Sequence, residues 1–323
     1  MRSCSCVEFS CSVQCLTTKM RKTSVYSPRR LQYWLRAFHD AGIDTDEAKA
    51  SLNHILASVV GRRGASEMWS HGTERSHLSA PQVKRIDEYC EKRAARLPVQ
   101  YILGQWDFHN ITLKMRPPIF IPRPETENLV DIVLSHLRRT SKSSRVLDIG
   151  CGTGAICLAL ANAAQICCTG VDKNPEAVKL AKENAANLNL AQYATFHEAE
   201  ISSHGMDTAH SPLLNQVYDV IVSNPPYIST EEEKDLEPEI LRYEDNGALF
   251  AGPSGLDVVQ NILRFSRTNL RVWGHLFLEV GLAHPPLIHS ILRTPEYAQL
   301  FRLLAVHSDF TLRDRFVEIK RIE

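Results

Sequence analysis

Asn224-Pro225-Pro226-Tyr227 comes directly after the apolar run Val220-Ile221-Val222 and ends it. Two adjacent prolines remove two backbone donors and fix two φ angles, so neither a helix nor a central strand continues through them. Taken alone the four residues are a rigid turn. In the right setting the same turn can hold a reacting group. A second stretch, Asp148-Ile149-Gly150-Cys151-Gly152-Thr153-Gly154, places glycine at three alternate positions. Such glycines permit a tight turn and let a ligand approach the backbone closely, and a helix that follows offers N–H groups at its start. The next apolar stretch ends at Gly170-Val171-Asp172. An acid there can accept hydrogen bonds from ribose hydroxyls. Together these features point to an adenosine-containing ligand. The spacing is D-x-G-x-G-x-G, and the dinucleotide fingerprint G-x-G-x-x-G is not met.

These residues need elements to position them. Beyond Ser144, strand and helix signals alternate, the signature of an α/β fold with a doubly wound, mostly parallel sheet. The pattern predicts strands at 145–149, 167–172, 193–197, 218–223, 274–280, 301–307 and 315–321, seven in all. Helices are expected over 154–163, 175–188, 256–269 and 284–294. The glycine turn and residues 224–227 then both lie at the C-terminal ends of strands, where sheets of this type bind ligands.

Residues 29–97 read instead as a small helical domain. Leu31, Trp34, Leu35 and Phe38 recur at helical spacing, as do Ala48, Leu52, Ile55, Leu56 and Val59. A third helix opens at Ser79-Ala80-Pro81, a cap followed by proline in the first turn, and runs through Val83, Ile86, Tyr89 and Cys90. Residues 98–124 change character: "PVQYILGQWDFHNITLKM" is β-rich and interrupted by Gly104, which predicts a hairpin and linker between domains. Pro117, Pro118, Pro122 and Pro124 exclude helix before Glu125, where a domain spanning 125–323 begins with a helix through Leu129, Val130, Val133, Leu134 and Leu137. Residues 1–28 carry Arg2, Lys19, Arg21 and Lys22 against the single acid Glu8. That basic, Ser-rich, acid-poor composition is that of an organelle transit peptide or a disordered tail.

The 37 basic and 37 acidic residues of this 323-residue chain leave no net charge, which argues against a strongly basic nucleic-acid binder. No apolar run approaches the 18 residues or so of a membrane-spanning helix. Among the nine cysteines, Cys90, Cys151, Cys157, Cys167 and Cys168 fall in helix and strand segments, so a reducing compartment fits better than a disulfide framework. Cys4, Cys6, Cys11 and Cys15 match no standard zinc spacing, and no metal site is expected.

The glycine turn resembles the first motif of the class I S-adenosylmethionine-dependent methyltransferases. That resemblance implies S-adenosyl-L-methionine as cofactor, with Asp148, Gly150, Cys151, Gly152, Thr153 and Gly154 around it and Asp172 on the ribose. An acid after the third strand is expected near the adenine, and Glu200 in "HEAEIS", with Ile201 beside it, is the nearest candidate. "NPPY" in this place is shared by methyltransferases that modify planar amide or amino nitrogens. The lone pair of such a nitrogen is delocalised, so it is a poor nucleophile. The Asn224 side-chain oxygen and the Pro225 carbonyl can each accept one N–H of an NH2 group as the nitrogen pyramidalises, while Pro226 stiffens the loop and Tyr227 packs on the flat substrate.

With "FIPRPETE" and "PVQYILGQWDF" added, residues from about 30 to 320 resemble the release-factor glutamine methyltransferases, the HemK/PrmC family, and the basic N-terminal segment resembles its mitochondrial branch. The family implies methylation of the glutamine amide nitrogen in the GGQ loop of class 1 peptide-chain release factors. The N-terminal helices are expected to recognise the factor, and the protein is expected to be a monomer. No membrane or direct nucleic-acid partner is expected, and the location is mitochondrial, or otherwise cytoplasmic. Arg123, with Glu125, is placed near the substrate pocket as a clasp, Glu279 is a weaker candidate for the pocket wall, and Asp309 and Arg315 are expected to serve a C-terminal hairpin. Two rivals are a nucleic-acid amino-methyltransferase and a noncatalytic cofactor-binding module. Balanced charge counts against the first, and an intact Asn224-Pro225-Pro226-Tyr227 against the second.

Overall fold

A computed structural model describes residues 25–70, 76–140, 144–207 and 216–323, and the chain divides into two compact units, 1–103 and 104–323. Residues 1–24, with the four N-terminal cysteines, lie outside the described residues. Of the expected tail, Val25, Tyr26 and Pro28 carry secondary structure: strand β1 (Val25–Tyr26) pairs with β2 (Ser76–His77), and helix α1 (Pro28–Asp40) starts with Pro28 in its first turn.

The first unit is built on α1, α2 (Thr45–Ser70), α3 (Ala80–Ala94) and α4 (Val99–Leu103). Leu31, Trp34 and Phe38 of α1 are buried, as are Leu52, Ile55 and Leu56 of α2 and Val83, Ile86 and Cys90 of α3, so the helical periodicity marks the core. Ser79 and Gln82 close a capping box at the start of α3. Arg93 is buried and satisfied by Glu47 at 2.6 Å and Ser51 at 3.2 Å, as a buried cation must be. Gly61 breaks α2 with φ 79° and ψ 161°, outside the helical region.

The hairpin expected over 98–124 straddles the boundary between units. Val99–Leu103 form α4, because the Pro98 carbonyl accepts from the Tyr101 and Ile102 amides and Gly104, at φ 71°, stops the turn. A five-residue apolar run reads equally as strand or helix. The hairpin itself is β3 (Gln105–Phe108) with β4 (Ile111–Lys114), in the second unit, whose first helix, α5, spans Pro124–Leu137.

The second unit holds a seven-stranded sheet in the order β12-β13-β11-β10-β5-β6-β7. Its members are β5 (Val146–Ile149), β6 (Cys168–Asp172), β7 (Ala194–Glu198), β10 (Tyr218–Ser223), β11 (Leu270–Glu279), β12 (Phe301–Ser308) and β13 (Asp314–Arg321). The five strands β11, β10, β5, β6 and β7 run parallel, whereas β12 and β13 form an antiparallel margin. The remaining helices are α6 (Ala155–Ala164), α7 (Pro175–Asn187), α8 (Pro238–Tyr243), α9 (Asp257–Asn269) and α10 (His284–Leu292). Leu147 and Ile149 of β5 join Leu276, Leu278, Val259 and Ile288 in one apolar core with α9 and α10. Each such fully buried side chain contributes on the order of 1.5–3 kcal/mol.

After β7 the chain makes a small hairpin of β8 (Glu200–Ser202) and β9 (Gly205–Asp207), and residues 208–215 lie outside the described residues. Among the described residues no helix is long and apolar enough to cross a membrane. Strand order reverses at β5, with β6 on one side and β10 on the other, and this switch point opens a crevice at the strands' C-terminal ends.

Candidate functional site

The crevice is a cleft of about 990 Å³, open solvent included, within the size range of small-molecule sites. Gly150, Cys151, Gly152 and Thr153 from the β5 turn line it, with Asp172 from the end of β6, Glu200 and Ile201 from β8, and Asn224 and Pro226 from the end of β10. Nine residues singled out in the sequence are thus brought together. A second, smaller cavity is lined by Arg123, Asn224, Pro225, Pro226 and Tyr227, and shares Phe120, Asn224, Pro226 and Ala248 with the first. The two cavities meet at Asn224.

The glycine turn is held from below. The Gly150 and Cys151 amides donate to the Val171 carbonyl at 2.8 and 3.0 Å, and the Gly152 amide donates to Asp172 Oδ2 at 2.8 Å. The other oxygen of Asp172 accepts from the Asn174 amide at 2.9 Å. A carboxylate has about four acceptor sites, so each oxygen keeps capacity for a hydroxyl. Burial pushes the Asp172 carboxyl up. Gly150 and Gly152 have φ of 73° and 53°, and a Cβ on either would meet nothing within 4 Å.

Two of the predicted cofactor residues do not reach the cleft wall. Asp148 is fully buried, with Oδ2 accepting the Cys157 amide of α6 at 3.2 Å and Oδ1 without a partner, and burial pushes its carboxyl up to about 7. Gly154 is the N-cap of α6 at φ 83°, where a Cβ would stand 3.0 Å from Leu158 and Phe196. Both support the turn. Glu200 is exposed and begins β8, so the acid near the cleft follows the third strand, which ends at Glu198.

Residues 120–126 form the opposite wall. Arg123 caps α5, donates to Glu244 Oε1 at 2.7 Å and lies over the Phe120 ring at 4.8 Å. The second oxygen of the buried Glu244 accepts the Ile121 amide at 3.1 Å, so one carboxylate closes the proline-rich loop. Glu125 stands half-buried in the first turn of α5 and lines neither cavity. Thr126 lines the cleft, and its hydroxyl donates to Glu279 Oε2 at 2.8 Å while accepting from Asn224 Nδ2 at 3.1 Å. Among the described residues Asn224 makes no other side-chain hydrogen bond, and its Oδ1 is left as an acceptor. Burial, with Glu279 nearby, pushes the Tyr227 hydroxyl up to about 12. Tyr227 is therefore neutral at physiological pH.

The sequence reading missed Glu244, Asn184 and Asp245. Asn184 on α7 ties the Lys114 amide at 2.7 Å and the Thr153 carbonyl at 2.9 Å, joining the hairpin to the glycine turn. Its signal was a polar residue on the face that buries Ala177, Leu180 and Ala181. Asp245 lines the cleft and accepts from Asn174 Nδ2 at 2.7 Å, a contact across 71 residues with no local signature. Asp309 accepts from Thr311, Arg313 and Arg315 in the β12–β13 turn, which sets its carboxyl at about 2.

The cleft fits S-adenosyl-L-methionine in its chemistry: open space at two glycines, a carboxylate with free lone pairs and apolar walls from Ile156, Ile201 and Val258.

Comparison with known proteins agrees. Residues 30–104 match the model of the PrmC N-terminal domain, and residues 140–271 match that of a methyltransferase domain. The MTRF1L release factor glutamine methyltransferase of Homo sapiens is 38% identical over 302 residues, covering 90% of this chain and 86% of that protein. The release factor glutamine methyltransferase of Deinococcus radiodurans is 34% identical over 282 residues, covering 87% and 93%. That of Streptococcus pneumoniae is 37% identical over 209 residues, covering 64% and 70%.

Proposed function

The chain belongs to the release factor glutamine methyltransferase family, and from that premise we propose that it methylates the side-chain amide nitrogen of the glutamine in the GGQ motif of class 1 peptide-chain release factors. S-adenosyl-L-methionine, when bound, supplies an electrophilic methyl group on its sulfonium. Gly150, Gly152, Asp172, Glu200 and Ile201 hold it in the cleft. The observation that carries the reading is the meeting of the two cavities at Asn224, whose Oδ1 is an unused acceptor.

The substrate amide enters the smaller cavity. Asn224 Oδ1 and the Pro225 carbonyl each accept one of its N–H groups, which turns the nitrogen toward the shared wall of the cleft. These bonds strengthen as the nitrogen gains positive charge, so they favour the transition state over the bound amide. Two fixed acceptors on a proline-stiffened loop also remove orientational freedom before reaction. Tyr227 is neutral and packs against the amide plane, and Phe120 with the Arg123–Glu244 pair closes the far side. No residue needs to remove a proton before attack: the new N–C bond replaces the methyl–sulfonium bond, whose electron pair stays on sulfur, and the nitrogen gives up one N–H proton to water after transfer.

The helical unit binds the release factor, and the protein acts as a monomer. The basic, acid-poor N-terminal segment supports a mitochondrial location. The test is incubation with methyl-labelled cofactor and either a GGQ-containing release factor or its Gln→Ala variant. Label found only in the first, on that glutamine by peptide mass analysis, is the expected result; label in both would place the reaction elsewhere.

A further inference from the structure

Resting on the reading above, we propose that Glu279 is a positioning residue, acting through Thr126 to fix which end of the Asn224 amide faces the substrate. Nothing in the peptide backbone decides this. An asparagine amide can rotate by half a turn at little steric cost, and only one orientation offers an acceptor to a substrate NH2.

The polarity follows from proton counting. Glu279 sits at the C-terminal end of β11 and is 1% exposed. When ionised it can only accept hydrogen bonds. The Thr126 hydroxyl has one proton, and at 2.8 Å from Oε2 that proton goes to Glu279. The Thr126 oxygen must then accept at its other contact, the 3.1 Å approach of Asn224, so the side chain presents its NH2 to Thr126. Asn224 Oδ1 is turned the other way, and the residue lines both cavities. Thr126 and Glu279 are both buried, and their contact spans 153 residues of sequence.

The surroundings of Glu279 hold its charge in balance. Burial pushes the carboxyl up to about 7, Glu125 on α5 pushes the same way, and Thr126, Arg315 on β13 and the Tyr227 hydroxyl oppose it. A protonated Glu279 could donate to Thr126. The hydroxyl would then be free to donate to Asn224, and the amide would reverse. The relay therefore sets the acceptor only while Glu279 is ionised.

The test uses the full chain with 15N-labelled asparagine, a release factor substrate, and the variants Glu279→Gln, Thr126→Val and Thr126→Ser. With its NH2 turned to Thr126, the side chain in Glu279→Gln leaves the hydroxyl to donate to Asn224 Oδ1, which reverses the amide as protonation of Glu279 does. Turnover should fall at least about tenfold in kcat, with KM and S-adenosylhomocysteine affinity by calorimetry within about twofold of wild type. Thr126→Val should behave likewise, and Thr126→Ser should recover most of the loss. In the wild-type protein, kcat and the Asn224 side-chain NH2 resonances should change together with pH around 7, and neither should do so in Glu279→Gln. Wild-type kcat in both Glu279→Gln and Thr126→Val would overturn the proposal. So would wild-type spectra in which the Asn224 NH2 protons lie away from Thr126, a reading that survives any variant that fails to fold. If the wild type transfers no methyl to the factor, the proposed function fails while the resonances still test the relay.

Discussion

Arg123 and Glu244 stand 121 residues apart in sequence and meet at 2.7 Å, with the Ile121 amide on the second oxygen of the same carboxylate. A proline-rich loop has few amides for regular pairing. One buried acid from a distant segment therefore decides where the wall of the cleft lies. Glu244→Ala leaves the Ile121 amide without its acceptor and Arg123 without its anion. The expected cost is about 2–4 kcal/mol, because removing one partner strands the other groups. Glu244→Gln keeps an acceptor and should lose less. Thermal and urea unfolding of the three proteins check this, and equal stability of Glu244→Ala and wild type would contradict it.

Gly152 and Gly154 are two residues apart and should fail in different ways. A Cβ at Gly154 meets Leu158 and Phe196 at 3.0 Å with φ 83°, so Gly154→Ala should destabilise by roughly 2–3 kcal/mol. At Gly152 the Cβ meets nothing, and φ 53° alone costs about 1 kcal/mol. Its methyl projects into space the ligand needs, so Gly152→Ala should lose S-adenosylhomocysteine affinity by at least about tenfold. Melting curves and calorimetry separate the two effects, and the opposite pattern would mean the turn has been misread.

Asp172 holds the turn through Gly152 and faces the cleft. Asp172→Ala should weaken S-adenosylhomocysteine binding by about tenfold or more, the loss of charge-assisted bonds to a half-buried carboxylate. A dissociation constant equal to wild type would place the ribose elsewhere.

Asp148 predicts a pH effect. With its carboxyl pushed up to about 7 by burial, the native chain keeps a proton that the unfolded chain has released above its ordinary value of about 3.9. Stability therefore falls as pH rises between those values, by up to about 1.4 kcal/mol per pH unit from this group. Asp148→Asn is neutral throughout and keeps an acceptor for the Cys157 amide. The difference in unfolding free energy should move in favour of Asp148→Asn from pH 5 to pH 7.5, and parallel curves would contradict the assignment.

Much of this architecture was legible in the chain. The apolar runs of β5, β6 and β10 end in glycine, in Asp172 and in Asn224-Pro225, so strand ends and cleft-lining turns coincide. Residues 99–103 were misread because five apolar residues carry too little periodicity to separate strand from helix. The resemblance places Asp148 around the cofactor, and a sequence does not show which face an acid near a strand's end takes. The structure turns it under the turn, toward Cys157. Thr126 stood within a recognised motif, yet its role depends on Asn224, 98 residues away. Contacts of that range leave no local pattern, and Glu244 was invisible for the same reason.

The most direct test of the account compares wild type and Asn224→Ala on one GGQ-containing release factor at saturating cofactor, with S-adenosylhomocysteine affinity measured alongside. In the proposed mechanism Asn224 supplies an acceptor that matters most in the transition state, so the variant should lose about 100-fold or more in kcat while its cofactor affinity stays within about twofold. Methyl transfer at the wild-type rate by Asn224→Ala, with the cofactor bound normally, would contradict the account.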